Sequence, residues 1–153
     1  MTTKLKIARN HLEHGRLSSA LKILKPLSEA GNAEAMFLHS TFSIAKTEND
    51  EEFDSRRLTL LKKSADLGFP EAIYELAVCY DTGDLVDQDQ EHAAKLFEKA
   101  CIGGFPHAEF MHGLNLYYGY HGITRDENAG LKLIRRAQEA GVPEAHEFLE
   151  KIS

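Results

Sequence analysis

The sequence predicts an all-α protein, a right-handed α-solenoid of about four antiparallel helix pairs plus a closing C-terminal helix. The first observation is a stretch that occurs four times, in which a helix ends, the chain turns at a glycine, and an alanine follows four residues later. The turn glycines are spaced by 37, 36 and 37 residues: Gly31, Gly68, Gly104 and Gly141. A fixed period of about 20–50 residues is typical of stacked repeats.

The second observation is the spacing of apolar residues between these turns, three and four positions apart, as on a helix with one buried face. We expect helices over residues 5–12, 17 to near Gly31, 35–46, 53–67, 71–82, 91–103, 107–118, 127–140 and 143–152. They would form a single domain, 1–153, with an atypical N-terminal pair (1–30), three repeats (31–67, 68–103 and 104–140) and a capping helix (141–153). Small residues mark the places where paired helices must approach closely: Ala77, Ala93, Ala100 and Gly113.

The third observation is the composition of the chain. Apolar residues make up 42% of the 153 residues and charged residues 27%, as in globular proteins. No window approaches the roughly 18 consecutive apolar residues of a membrane span, and no apolar block follows the first residues as in a secretory signal. Two cysteines, Cys79 and Cys101, are too few for a disulfide framework. We therefore expect a cytoplasmic protein without membrane insertion.

The net charge of −6 is unevenly distributed. Residues 1–30 carry six Lys and Arg against two Glu, whereas residues 31–153 carry twelve Lys and Arg against twenty-two Asp and Glu. A body this acidic argues against nucleic acid as a partner, because phosphates attract clustered basic side chains. The charge is better suited to a basic or neutral protein surface.

Two of the units share a longer pattern. The second unit contains Ala72, Leu76, Ala77, Tyr80, Gly83, Val86, Asp89, Ala93, Phe97 and Gly104, and the third contains Ala108, Gly113, Gly119, Gly122, Ile123, Asp126, Ile134, Ala137 and Gly141. This pattern resembles the Sel1-like repeat, a relative of the tetratricopeptide repeat, and the resemblance covers roughly residues 30–150. Residues 47–54 depart from it by replacing the usual glycine-containing turn, and His112 stands where an apolar residue is usual. The resemblance implies a scaffold for protein–protein contact that uses a concave face and a loop edge.

One set of candidate partner-binding residues is aromatic. Phe37, Tyr74 and Phe110 each lie two residues after the opening alanine of a unit, and aromatic side chains are favoured anchors at interfaces. The alternative is that three equivalent positions filled alike serve packing between helices.

A second set is acidic. Two turns are rich in carboxylates, one with Glu48, Asp50, Glu51, Glu52 and Asp54, the other with Asp81, Asp84, Asp87, Asp89 and Glu91. In a solenoid both turns would project from one edge, and Asp50, Glu51, Glu52, Asp84 and Asp87 would attract a basic partner. The alternative is a solubilising loop edge, with Asp89 and Asp126 capping helices.

A third set surrounds a glycine turn and consists of Tyr117, Tyr118, Tyr120 and His121. Three tyrosines exceed what the end of a helix requires, and tyrosine offers a large contact area at a low cost in conformational entropy. The alternative is that Tyr117 and Tyr118 pack onto the next unit.

Catalytic interpretations have weaker support. His11 and His14 are spaced so that they could hold one metal ion, but no third ligand is near in the sequence. Cys79 and Cys101 fall at packing positions, which predicts buried, inert thiols. The sequence has neither a glycine-rich phosphate loop nor a serine elbow, and no cofactor is expected.

We therefore expect a non-enzymatic protein-binding module that acts as an adaptor or regulator. The alternative is a dedicated inhibitor or immunity protein that neutralises a toxin or effector, which the compact size and the acidic edge favour. A metal-dependent enzyme that uses surface histidines is the third interpretation. The partner would be a protein, basic in the inhibitor case, and the sequence does not indicate the oligomeric state.

Overall fold

The computed structural model describes residues 2–44 and 46–153, which form nine α-helices and no strand. In chain order these are α1 (Thr3–Glu13), α2 (Leu17–Glu29), α3 (Ala33–Ser40), α4 (Asp50–Asp66), α5 (Pro70–Thr82), α6 (Gln90–Ile102), α7 (Pro106–Tyr118), α8 (Glu127–Glu139) and α9 (Pro143–Ile152). The fold is thus all-α, as the sequence predicts. The chain divides into two compact units, a first unit ending at Ala72 and a second unit from Ile73 to Ser153.

Helices that follow one another in the chain pack on one another within each unit. In the first unit α1 packs on α2, α2 on α3 and α3 on α4. In the second unit α6 packs on α7, α7 on α8 and α8 on α9. Helix α5 joins the core of the second unit through Ala77, which is buried with Ala93 and Phe97 of α6.

The four repeated turns share one backbone geometry. Each turn glycine has a left-handed conformation, with φ of 92° at Gly31, 84° at Gly68, 83° at Gly104 and 91° at Gly141. The residue after each glycine donates its N–H to the carbonyl five residues earlier, as Phe69 does to Ser64 at 3.2 Å. This pattern is the Schellman motif, which satisfies the last carbonyls of a helix. The left-handed conformation predicted at Gly31 and Gly68 is confirmed.

Substitution of a turn glycine should destabilise the fold through the backbone alone. An added Cβ at Gly68 meets nothing within 4 Å, so Gly68→Val introduces no clash. A β-branched residue is strained at positive φ, and we expect a loss of about 1–3 kcal/mol in the free energy of unfolding, measured by urea denaturation. Gly68→Asn should lose less, because asparagine tolerates this conformation. Equal urea midpoints for wild type and Gly68→Val would contradict the left-handed conformation assigned to Gly68.

Helix α3 is shorter than the sequence predicts. It ends at Ser40 instead of continuing to residue 46. The hydroxyl of Ser40 donates to the carbonyl of Phe37 at 2.6 Å, and the hydroxyl of Thr41 donates to Leu38 at 2.7 Å. Such local bonds compete with the continuation of a helix. Phe42 is then buried beyond the helix end.

Helix α4 begins three residues earlier than expected, at Asp50 instead of Phe53. The side chain of Asn49 accepts the N–H of Glu52 at 2.8 Å, and the carboxylate of Glu52 accepts the N–H of Asn49 at 2.9 Å. This reciprocal capping box satisfies two N–H groups that a helix start otherwise leaves without a partner. Three acidic residues of the expected turn, Asp50, Glu51 and Glu52, therefore lie in the first turn of a helix.

Helices α7 and α8 approach closely in the second unit. A Cβ added at Gly113 would lie 2.8 Å from Cγ1 of Ile134, and one added at Gly130 would lie 2.6 Å from the carbonyl oxygen of Gly113. The expectation that Gly113 permits a close approach is confirmed, whereas its counterpart Gly130 was not expected. Below this contact Ile134 is fully buried in a cluster with Ala137, Val142 and Ala145.

Candidate partner-binding site

The three aromatic residues that follow the opening alanines lie in or against the core. Phe37 is only 9% exposed, and its ring centroid lies 5.4 Å from that of Phe69. The ring centroid of Tyr74 lies 5.0 Å from that of Phe105. Burial raises the pKa of the Tyr74 hydroxyl. Phe110 packs against the cluster around Ile134. These contacts give all three a packing role, and their expected role in partner binding stays a prediction.

The acidic candidates of the first unit are exposed on the first turn of α4. Asp50, Glu51 and Glu52 are all exposed, and carboxylates at this end of a helix also interact favourably with its dipole. Glu48 differs from them, because it pairs with Arg56 at 2.5 Å. The guanidinium holds the pKa of Glu48 well below its usual value, at about 2.

The acidic candidates of the second unit lie in the loop between α5 and α6. Asp84 and Asp87 are exposed. Asp89 caps α6 by accepting the N–H of His92 at 2.9 Å, and Asp126 caps α8 by accepting the N–H of Ala129 at 3.0 Å. The predicted capping roles are confirmed. That the two acidic stretches share one edge stays a prediction, since they belong to different units.

The tyrosine loop is a cluster of aromatic rings at the end of α7. The rings of Tyr118 and Tyr120 are stacked, with centroids 4.9 Å apart and an interplanar angle of 17°. They are 45% and 50% exposed. Tyr117 is half-buried, and its ring meets that of Phe148 on α9 edge-on at 5.3 Å. The structure thus brings the predicted tyrosines together but gives Tyr117 a packing contact.

The chain around Gly119 holds this loop in place. Gly119 adopts φ of 71° and donates its N–H to the carbonyl of Asn115 at 2.8 Å, and Tyr120 donates to the same oxygen at 3.0 Å. The guanidinium of Arg125 donates to the carbonyl of Tyr117 at 3.2 Å. These bonds connect the loop to the rigid end of α7, so the two stacked rings have a fixed support.

A pocket of about 180 Å³ lies beside the stacked rings, between α5, α6 and α7. Its floor contains the buried residues Phe97 and Asn115, and its rim contains Asp81, Tyr118 and Tyr120. The fourth predicted residue of the loop, His121, is half-buried and also lines the pocket. The pocket combines a buried base, which holds an aromatic ring and an amide, with a carboxylate and exposed aromatic rings.

No group of three His, Cys, Asp or Glu within residues 2–44 and 46–153 is placed to hold a metal ion. Nδ1 of His14 lies 2.8 Å from the carbonyl oxygen of Asn10. Cys79 is buried, and Cys101 is half-buried, where burial raises the pKa of its thiol. In the described part of the chain no helix is both long and apolar enough to span a membrane.

Two consecutive segments, residues 70–105 and 106–142, match the family model of the Sel1 repeat. The chain therefore contains two consecutive Sel1 repeats. Sel1 repeats are protein-interaction modules, and the two matched segments hold the pocket and the tyrosine loop. The expected first repeat, 31–67, lies outside the matched segments, and it contains the shortened α3 and the altered turn.

Solved structures resemble this chain over most of its length. A Sel1 repeat protein from Oxalobacter formigenes is 25% identical, with a TM-score of 0.73 over 86% of this chain and 97% of its own. A protective antigen of uropathogenic Escherichia coli with an SLR fold is 27% identical, with a TM-score of 0.66 over 79% of this chain and 26% of its own. The cysteine rich protein B of Helicobacter pylori is 18% identical, with a TM-score of 0.58 over 96% of this chain and 97% of its own, and shares the fold.

A curated relative of this chain is named as a regulator. The chitin synthase regulator SKT5 of Saccharomyces cerevisiae is 28% identical over an alignment of 138 residues that covers 86% of this chain. The matched region is 19% of the yeast protein, so the chain spans about a fifth of that relative's length.

The sequence predicts Tyr118, Tyr120 and His121 as site residues but does not place the other lining residues of the pocket beside them. Asn115 is 5% exposed, and its neighbours in the sequence are leucines. A polar residue among apolar ones in a helix is a signal, readable from the sequence, that could have indicated this site. In the sequence Asp81 belongs to the acidic stretch before α6. Its place beside Tyr118 depends on how α5 and α7 pack, which the sequence does not indicate. Gln90 was missed for the same reason.

Proposed function

We propose that this Sel1-like repeat chain is a non-enzymatic regulator or adaptor that binds a partner protein through the tyrosine loop of its second unit. The observation that carries the proposal is the stacked pair Tyr118 and Tyr120, two large aromatic side chains that are about half exposed. Exposed aromatic rings on a rigid support are typical anchors of protein interfaces. The loop bonds to the end of α7 supply that support, so little conformational entropy is lost on binding.

The comparisons support the same class of function. The yeast relative is a regulator of chitin synthase by its name, which favours a regulatory role for this chain without identifying its target. The cytoplasmic location and the concave face as a second contact surface stay predictions from the sequence.

The double variant Tyr118→Ala, Tyr120→Ala should lose the partner while keeping its fold. We expect the amount of partner recovered by affinity capture from the native host to fall at least about tenfold, because central aromatic anchors account for much of the binding energy. Quantitative mass spectrometry measures the partner, and circular dichroism measures helicity. Tyr117 is left in place, because its ring packs on Phe148.

The matched control is Ile102→Ala, which removes an apolar side chain that is 82% exposed at the end of α6. This variant should recover as much partner as the wild type. Equal recovery by the tyrosine variant and the control would refute the proposed surface.

A dedicated inhibitor or immunity protein is the second candidate, and the charge of the second unit favours it. Residues 73–153 carry fourteen Asp and Glu against seven Lys and Arg. A charge of this sign accelerates association with a basic partner, and the effect weakens as salt screens it. Capture at low and moderate salt separates the two candidates: one stoichiometric basic partner lost with rising salt supports the inhibitor, and several weak partners support the adaptor.

A further inference from the structure

The size of the pocket beside the tyrosine loop limits what it can hold. Its volume is about 180 Å³, below the range of about 300–1,000 Å³ that is typical of pockets for cofactors and drug-sized ligands. The space is suited to a single long side chain. If the second unit binds a protein, as proposed above, a side chain of that partner is the natural occupant.

The rim of the pocket carries the carboxylate of Asp81, a residue whose hydrogen bonds within the described part of the chain are to amide groups. The amide of Gln90 lies 3.4 Å from Oδ1 of Asp81, and both residues line the pocket. Among the described residues no Lys or Arg forms an ion pair with Asp81. The backbone carbonyl of Asp81 accepts the amide of Gln88 at 2.7 Å, which holds this residue at the end of α5. The site therefore favours a positive group.

The aromatic wall of the pocket, formed by Tyr118 and Tyr120, restricts which positive group fits. Tyr118 and Tyr120 line the pocket as a near-parallel pair, and the face of an aromatic ring attracts a cation within about 6 Å of its centroid. A planar guanidinium stacks on such a face and also donates several hydrogen bonds to a carboxylate. An ammonium group fits this wall less well, because it is compact and strongly hydrated.

We propose that this pocket receives an arginine side chain of the partner protein, with the guanidinium between the Asp81 carboxylate and the stacked tyrosine rings. The inference rests on the proposed partner-binding function and adds the chemistry that is recognised. An acidic side chain would be repelled by Asp81. An apolar side chain would remove Asp81 from water without giving it a hydrogen-bond partner, which is costly. The apolar floor at Phe97 and Ala94 accommodates the methylene groups of the arginine.

The test is an NMR titration of the ¹⁵N-labelled 153-residue chain with N-acetyl-arginine methylamide. We expect saturable shifts of the amide signals of Asn115, Gly119 and Tyr120. The matched probe N-acetyl-citrulline methylamide has nearly the same shape without the charge, and the lysine analogue has the charge without the planar group. The arginine probe should bind at least about tenfold more tightly than the citrulline probe, as expected for a charge-assisted hydrogen bond.

Two variants assign the effect to the pocket. Asp81→Asn should weaken the arginine probe about tenfold, whereas Asp87→Asn, which removes the same charge from an exposed position outside the pocket, should leave its affinity nearly unchanged. Equal binding of arginine and citrulline, equal affinities of the two variants, or no saturable shift at the limit of solubility would each overturn the arginine assignment. If the arginine titration fails but the tyrosine double variant still loses the partner, the arginine assignment is wrong and the proposed function stands. If the tyrosine double variant keeps the partner, the proposed function is itself wrong.

Discussion

Gly130→Ala is expected to destabilise the protein by about 3 kcal/mol, at the upper end of the range for overpacked interiors. The new methyl group would lie 2.6 Å from the carbonyl oxygen of Gly113 and 2.7 Å from the backbone nitrogen of Tyr117. Both neighbours are backbone atoms, which cannot rotate away, so α7 and α8 must separate. The separation would open the contact above Ile134, which is fully buried.

Thermal unfolding is the measurement for this variant. A loss of about 3 kcal/mol lowers the midpoint by roughly 6–12 °C in a chain of this length. The control is Gly103→Ala, because Gly103 is exposed at the end of α6 and has φ of −70°, which alanine adopts without strain. The control should stay close to the wild type. A midpoint for Gly130→Ala as high as that of the control would mean that the two helices do not approach as described.

Arg56→Met is expected to cost about 2–3 kcal/mol, because several buried or half-buried acceptors lose their donor at once. The guanidinium of Arg56 donates to the carbonyl of His39 at 2.6 Å and to the carbonyl of Phe42 at 2.8 Å. It also donates to both carboxylate oxygens of Glu48. One side chain thus fixes the segment that follows the early end of α3. Urea denaturation measures the loss.

The acid dependence of stability tests the same contact. Glu48 has its pKa lowered from 4.5 to about 2, mainly by its hydrogen bond to Arg56. A lowered carboxyl pKa contributes stability above the unfolded pKa, and this contribution is lost as the pH falls from about 4.5 to about 2. Arg56→Met should therefore lose less stability than wild type over that interval. Lys62→Met, an exposed cation removed from the same helix, should keep the wild-type acid dependence, and an identical acid profile for all three proteins would contradict the role of the pair.

Most of the fold could be predicted because it depends on short-range features of the chain. The glycine turns need a backbone conformation that only a few residues adopt easily, and the helix faces follow from the spacing of apolar residues. The predicted C-terminal end of α3 is wrong for a different reason. Its sequence continues with helix-compatible residues, but the hydroxyls of Ser40 and Thr41 bond to earlier carbonyls and Arg56 reaches the chain from a helix that follows it.

The tyrosine loop could be predicted from its composition, and the pocket beside it could not. Three tyrosines around Gly119 are visible in the sequence. The position of Asp81 next to them depends on the packing of α5, α6 and α7, and no spacing in the sequence encodes it. The burial of Phe37 likewise follows from its ring contact with Phe69, which lies beyond the next helix.

The sequence by itself determined the repeat, its period, the helix order and the acidic character of the second half, because these depend on residues close together in the chain. Only the tertiary structure decided which tyrosines stay exposed, which glycines bring helices together and which carboxylate lines a pocket with aromatic rings. The physical reason is that local backbone preferences are set within a few residues, whereas the shape and charge of a pocket depend on side chains that packing brings together from separate helices.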